Sequence, residues 1–241
     1  MTIKLGLFGG SGRMGKSIEQ MIMQKPFERS GLTPFLFVGK EPSAVFAVSA
    51  GSIDNVEDDV LADVDVWIDF TSDQGLAKLL EATKKFKTPL VSGSTGLSAR
   101  TFEALKKSSK NRKLFWASNM SPGLWAFRQA MKSLKSISNF DFGIEEIHHT
   151  QKKDNPSGTA KTLHADLENI VGKKVAAPGS FRLGGIFGIH TIYAASSNEI
   201  ISMQHTALNR NVFAEGSLLA ASWLVSQKSG IYSMDELFLK K

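Results

Sequence analysis

Cysteine is absent from all 241 residues, which excludes a disulfide framework, a Cys-ligated zinc and a thiol nucleophile. No apolar run approaches the roughly 20 residues that a bilayer-spanning helix needs. The opening Met1-Thr2-Ile3-Lys4-Leu5-Gly6 passes straight into strand-like sequence, so a soluble cytoplasmic protein with no membrane partner is expected. Internal repeats and low-complexity tracts are missing as well. Basic residues never gather into a block. The 29 Lys+Arg, set against 23 Asp+Glu for a formal charge of +6, include scattered pairs such as Lys84-Lys85, Lys106-Lys107, Lys152-Lys153, Lys173-Lys174 and Lys240-Lys241. Neither zinc-finger spacing nor an aromatic-interleaved RNA-binding motif accompanies them, so the pI near 9.4 points to anionic small molecules and not to nucleic acid.

What is present is an ordinary globular mixture, 42% hydrophobic and 22% charged, long enough for one large domain or two modest ones. In the first half, short β-rich runs (4–9, 32–38, 64–70, 89–93, 113–117) alternate with amphipathic segments (13–24, 73–86, 98–107), the pattern of a parallel sheet flanked by helices. After Asn119-Met120-Ser121-Pro122-Gly123 the pattern changes. A helix over 124–136, a strand over 140–149 and a helix over 159–171 precede two strand-like runs, 190–195 and 199–206, with no helix between them. That order predicts a mixed or antiparallel sheet in a second, α+β domain. A last amphipathic helix over 212–227 is expected to return to the first domain.

The segment Gly9-Gly10-Ser11-Gly12-Arg13-Met14-Gly15 follows the first strand and opens the first helix. Gly9 suits a tight turn, Gly12 a close approach to a pyrophosphate, and Gly15 close packing of the helix on the sheet, with free N–H groups at the helix start to hold phosphate. The spacing is a variant of the dinucleotide fingerprint, and a tight connection alone could also explain it. After the second strand stands Gly39-Lys40, where an NAD site usually carries an acid, so Lys40 favours a 2′-phosphate and NADPH. Two further small-residue loops, Gly93-Ser94-Thr95 and Ala117-Ser118-Asn119-Met120, are expected beside a nicotinamide.

The most informative stretch is Glu145-Glu146-Ile147-His148-His149-Thr150-Gln151-Lys152-Lys153-Asp154-Asn155-Pro156-Ser157-Gly158-Thr159-Ala160. Adjacent strand residues face opposite sides, so His148 and His149 have different tasks. The N–H groups of Gly158 and Thr159 at a helix start are positioned for a carboxylate. No carboxylate or third histidine stands at metal-ligand spacing, so no metal is expected. Surface charge and an anionic substrate handled by histidine and lysine remain as readings, the second favoured.

Taken together, Gly9-x-x-Gly12-Arg13-Met14-Gly15, Asp69-Phe70-Thr71, Gly93-Ser94-Thr95-Gly96 and the string from Glu146 to Ala160 resemble the 4-hydroxy-tetrahydrodipicolinate reductase (dihydrodipicolinate reductase) family, as do Gly188-Ile189-His190-Thr191 and Arg210-x-x-Phe213-Ala214-x-Gly216. The resemblance implies a Rossmann-like domain from 1–120 and 213–241, a substrate and oligomerisation domain over 121–212, reduction by NADPH or NADH, and a homotetramer. It also implies that His148 and Lys152 carry the chemistry while His149, Gly158 and Thr159 bind a dicarboxylate substrate. Domain closure would turn on hinges near 121–123 and 209–211. The chain departs from the family at Asn155, Ile189 and Ser94, where Ala, Glu and Thr are usual, and in a short 173–182 region. An oxidoreductase for another small amino-acid-derived acid and a non-catalytic nucleotide sensor are the alternatives.

Overall fold

Strands that are apolar at consecutive positions must be covered on both faces. Leu5, Leu7, Val66, Trp67, Ile68, Leu90 and Val91 are all fully buried, and they belong to a parallel sheet wrapped by helices. The structure is a computed structural model that describes residues 2–24 and 31–239; the Lys240-Lys241 pair lies outside the described residues. The chain divides into two compact units, one formed by 1–120 with 213–241 and the other by 121–212.

In the first unit the described elements are β1 (Ile3–Phe8), α1 (Arg13–Ile22), β2 (Leu32–Val38), β3 (Val48–Ala50), α2 (Asp58–Ala62), β4 (Val66–Asp69), α3 (Asp73–Ala82), β5 (Leu90–Ser92), α4 (Ala99–Ser108) and β6 (Lys113–Trp116). The strands pair in parallel in the order β11-β6-β5-β4-β1-β2-β3, where β11 is Gly230–Tyr232. The order reverses at β1, so the carboxyl ends of β1 and β4 open a crevice of the kind that binds ligands in doubly wound sheets. Leu36, Trp67, Leu76, Leu79, Leu90 and Leu114 form the core.

The second unit holds α5 (Pro122–Met131), β7 (Asp141–His148), α6 (Gly158–Val171), β8 (Gly179–Arg182), β9 (Gly188–Ala195) and β10 (Ile200–Ala207). Its sheet runs β10-β9-β7-β8, with β9 antiparallel to both neighbours and β8 parallel to β7. The expected parallel sheet and the second mixed sheet are both present. Leu124, Phe127, Ile144, Leu163, Leu167 and Ile192 pack between the helices and one face of this sheet.

Several boundaries differ from the sequence expectation for identifiable reasons. Ser121 accepts the Leu124 N–H and Pro122 takes the first helical turn, so α5 begins two residues earlier than expected and passes into a 3-10 turn over Lys132–Ile137. α3 stops at Ala82, short of the expected 86. Thr83 bonds back to the Leu79 carbonyl and in turn accepts a hydrogen bond from the buried Arg112. β3, β8, β11 and the terminal helix α8 (Met234–Leu239) were not expected. The strands have only three or four residues, too few for a period to declare itself. α7 (Asn211–Leu224) ends before the expected 227.

At the head of α1, Gly9 sits at φ +86°, a conformation open to glycine, and its N–H reaches the Val38 carbonyl at 3.1 Å. A Cβ on Gly15 would stand 1.9 Å from the Gly10 carbonyl oxygen. The third glycine thus serves the contact between helix and turn, whereas the sequence suggested helix and sheet. Gly15→Ala is expected to lower the unfolding free energy by about 1–3 kcal/mol through this overpacking. An unshifted urea midpoint would show that the turn yields at no cost.

Candidate active site

The crevice at β1 and β4 contains a cavity of about 500 Å³ lined by Gly9, Ser11, Gly12 and Lys40, and also by Gly39, Ser52, Ile53 and Thr71. Helices α3 to α6 each begin on a serine that accepts an N–H of the first turn. At α1 the cap is Gly12, without a side-chain bond and with no acid in the first turn. The dipole and N–H groups of that turn therefore face the cavity edge without an internal anion, which fits a phosphate-bearing cofactor. Lys40 is exposed directly after β2, and no acid among the residues lining the cavity opposes it. Ser52 and Ile53 went unrecognised because they lie in a 3-10 turn after the unexpected β3.

The other proposed cofactor residues divide. Arg13 and Met14 open α1, and Thr95 and Ser118 are exposed on loops after β5 and β6. Gly10 packs against Phe37, and Gly93 against the Phe70 ring. Ala117 and Met120 are buried, and a Cβ on Gly216 would overlap the Met120 carbonyl oxygen at 1.7 Å. Asn119 is half-buried. The Ser94 hydroxyl is committed to Asp69 Oδ2 at 2.8 Å and its carbonyl to Trp116 Nε1 at 3.0 Å. Asp69, fully buried, also accepts from Ser92 Oγ at 2.7 Å, Thr71 Oγ1 at 2.5 Å and the Thr71 N–H at 3.1 Å. Burial pushes this carboxyl above its ordinary pKa, against the hydrogen bonds that favour its charge.

In the second unit, β7 alternates so that Ile144, Glu146 and His148 face inward while His149 lies beyond the strand end, half-buried. His148 Nδ1 bonds to Glu146 Oε2. Glu146 Oε1 receives Arg182 Nη2 at 2.8 Å and the Ser157 N–H at 3.2 Å. Ser157 is the cap of α6: its Oγ takes the Ala160 N–H at 3.1 Å and lies 3.3 Å from His190 Nε2. Arg182 reaches further, to the carbonyls of Lys152 (3.3 Å) and Asp154 (2.6 Å). His148, Lys152, Gly158 and Thr159 therefore belong to one neighbourhood around the start of α6. Asp154 Oδ1 holds Lys152 Nζ at 2.9 Å while Oδ2 accepts the Gly158 N–H at 3.2 Å.

Electrostatics follows from this arrangement. Burial pushes the Glu146 carboxyl up, but the polar groups around it, Arg182 foremost, outweigh it and leave the group below the ordinary carboxylate range. Burial lowers the His148 pKa, and Lys152 and Arg182 add to that against the opposing pull of Glu146. The Lys152 hydrogen bond holds Asp154 below the usual carboxylate value.

Sequence reading found no third metal ligand near His148, yet the structure supplies one set: Glu146, His148 and His190 place three possible ligand atoms within 4.8 Å of one another. Glu146 stands two residues before His148 and pairs across the sheet with His190. The donor set suits protons better than a cation, because the carboxylate is already engaged by a guanidinium, an N–H and an imidazole. Of the residues missed, Glu146 was legible from its i, i−2 relation to His148. Arg182 and His190 reach the site only through strand pairing, which local spacing does not encode.

Burial pulls the His190 pKa down to about 4. As pH falls from about 6.5 toward 4, the unfolded chain takes up a proton that the folded imidazole refuses, so stability drops across that window and the loss ends below it. His190→Gln is expected to flatten this part of the pH dependence, worth on the order of 3 kcal/mol. Urea unfolding at pH 7 and pH 4.5 reads it; an equal drop in both proteins would refute the assignment.

Comparison with known proteins agrees with this geometry. Residues 3–120 match the N-terminus of dihydrodipicolinate reductase and residues 123–238 its C-terminus. The 4-hydroxy-tetrahydrodipicolinate reductase of Bdellovibrio bacteriovorus is 44% identical over 239 residues, covering 99% of this chain and 97% of its own. That of Wolbachia sp. subsp. Brugia malayi (strain TRS) is 35% identical over 266 residues, covering 98% and 100%. Among solved structures, the dipicolinate-bound dihydrodipicolinate reductase of Paenisporosarcina sp. TG-14 shares the fold at a TM-score of 0.78, with 16% identity and 99% and 100% of the two chains covered. With both family domains matched in order along a chain that carries the histidine pair, the lysine and the capped helix, the protein belongs to the dihydrodipicolinate reductase family.

Proposed function

We propose that this chain reduces 4-hydroxy-tetrahydrodipicolinate to tetrahydrodipicolinate with NADPH or NADH, a step of the diaminopimelate route to lysine in the cytoplasm. One observation carries the reading: His148, Lys152 and the amide end of α6 converge in one neighbourhood, held there by Glu146 and Arg182. The substrate is a cyclic dicarboxylate, and cationic groups with helix-end donors are its natural receptor.

His149, Gly158 and Thr159 would take the carboxylates, with the incoming group replacing Asp154 on the Gly158 N–H and on Lys152. Loss of water from the 4-hydroxy compound leaves a conjugated imine. A reduced nicotinamide, when bound, supplies hydride to ring C4. Gly9, Ser11, Gly12 and Lys40 would hold that cofactor's phosphates and ribose, with Gly93, Ser94, Thr95 and the loop 117–120 on its nicotinamide side. The proton for the adjacent ring carbon comes from Lys152 Nζ or His148. Burial lowers the His148 pKa, which favours the lysine as donor.

Assembly as a homotetramer is supported by the outer face of the second sheet, where Phe181, Tyr193 and Ile200 are 50%, 36% and 70% exposed. Ile189 lies on that outer face, opposite the side that carries Glu146 and His148. Its departure from the usual Glu therefore bears on subunit contact and not on the imidazole cluster.

Lys152→Met is expected to reduce turnover by roughly 100-fold or more, measured as NADPH oxidation with the product of the upstream synthase as substrate. Unaltered turnover would remove the lysine from the proton transfer. Lys40→Ala is expected to raise the Michaelis constant for NADPH about three- to tenfold while leaving that for NADH in place. Equal effects on both cofactors would show that Lys40 does not read the 2′-phosphate.

A further inference from the structure

The imidazole and the helix cap are both attached to a single carboxylate, and the consequences reach the reaction. Glu146 is fully buried on β7. Its Oε2 faces His148 Nδ1, and its Oε1 receives Arg182 Nη2 and the Ser157 N–H. An ionised carboxylate only accepts, so Nδ1 of His148 must be the proton-bearing nitrogen and Nε2 the one with a lone pair. A second, independent feature concerns that nitrogen. Gly188 on β9 is buried against the same ring, and a Cβ there would come within 3.0 Å of His148 Nε2. The chain thus defines the Nδ1 side with an acid and leaves the Nε2 side uncrowded with a glycine. Arg182 completes the device by pinning the backbone carbonyls of Lys152 and Asp154 to the same carboxylate.

Resting on the functional reading above, we propose that Glu146 is the positioning residue of this reductase: it fixes His148 in the Nδ1–H tautomer with Nε2 toward the substrate, and through Arg182 and Ser157 it sets Lys152 and the start of α6 in register with that ring. The titratable and charged groups around the imidazole are Glu146 on its own strand, Arg182 on β8, His190 on β9 and Lys152 and Asp154 on the loop before α6, with His205 on β10 next to His190. Glu146 bonds to both the ring nitrogen and the Ser157 N–H of the helix cap, whereas His190 meets the same two through an edge-to-face ring contact and the Ser157 hydroxyl.

The test uses the full chain with 15N-labelled histidine, resonances being assigned by single-histidine variants. In the wild type, His148 is expected to carry its proton on Nδ1 near neutral pH. In Glu146→Gln the amide nitrogen can face Nδ1, and the proton is expected to move to Nε2. Turnover should then fall about 10- to 100-fold while KM changes less than about threefold. Gly188→Ala, which leaves Glu146 intact, should lower turnover while the Nδ1 proton stays in place. This variant carries the test if Glu146→Gln does not fold. A wild-type His148 protonated on Nε2, or wild-type turnover in either variant, would overturn the proposal. The NMR arm needs no substrate. A wild-type chain with the expected tautomer and no reductase activity would therefore refute the functional reading and leave the positioning role standing.

Discussion

A carboxylate removed from water needs partners for every lone pair, and its cost is several kcal/mol when they are missing. Glu146 meets that demand with a guanidinium, an imidazole and a backbone N–H drawn from β8, its own strand and the cap of α6. The debt of burial is therefore what organises the second unit. Each partner is held where the acid can be satisfied, and each carries something else with it: the ring of His148, the backbone of Lys152, the amides of the helix start. Packing of Leu163, Leu167 and Ile192 behind the sheet keeps water out, which makes the arrangement firm.

The first unit uses the same physics at a different place. Asp69 ends β4 with four hydrogen bonds from Thr71, Ser92 and Ser94. It ties the turn after β4 to the loop after β5, the two segments that flank the ligand side of the sheet. Ser94 accordingly belongs to the support of that loop by its side chain, although its position in a small-residue run suggests direct contact. In both units, then, a buried acid near a strand's carboxyl end does the aiming.

Much of this was legible in the primary structure. The run from Leu5 to Phe8 followed by glycines at 9, 12 and 15 announces a strand, a turn and a helix, because each glycine meets a local steric need. The pair His148-His149 and the Pro156-Ser157 cap are likewise local, and the structure places them at the strand end and helix start expected. What escaped is non-local. Arg182 comes from a four-residue strand, and its importance exists only because β8 lies beside β7. His190 is brought opposite Glu146 by antiparallel register, 44 positions along the chain from its partner. Asp154 stands in the string between Lys152 and Gly158 with no role assigned from sequence, and its side chain turns back onto both.

That last feature changes how an inbound anion experiences the pocket. Since the Asp154 side chain already neutralises the ammonium of Lys152 and rests on the Gly158 amide, arrival of a dicarboxylate is an exchange of one anion for another and not the filling of a bare positive hole. Only the difference between the two carboxylates appears in the affinity, so the basic excess of the chain governs how quickly the ligand is drawn in more than how long it stays. Release is eased by the same swap, because the vacated cation is taken up at once by a group covalently attached two residues away.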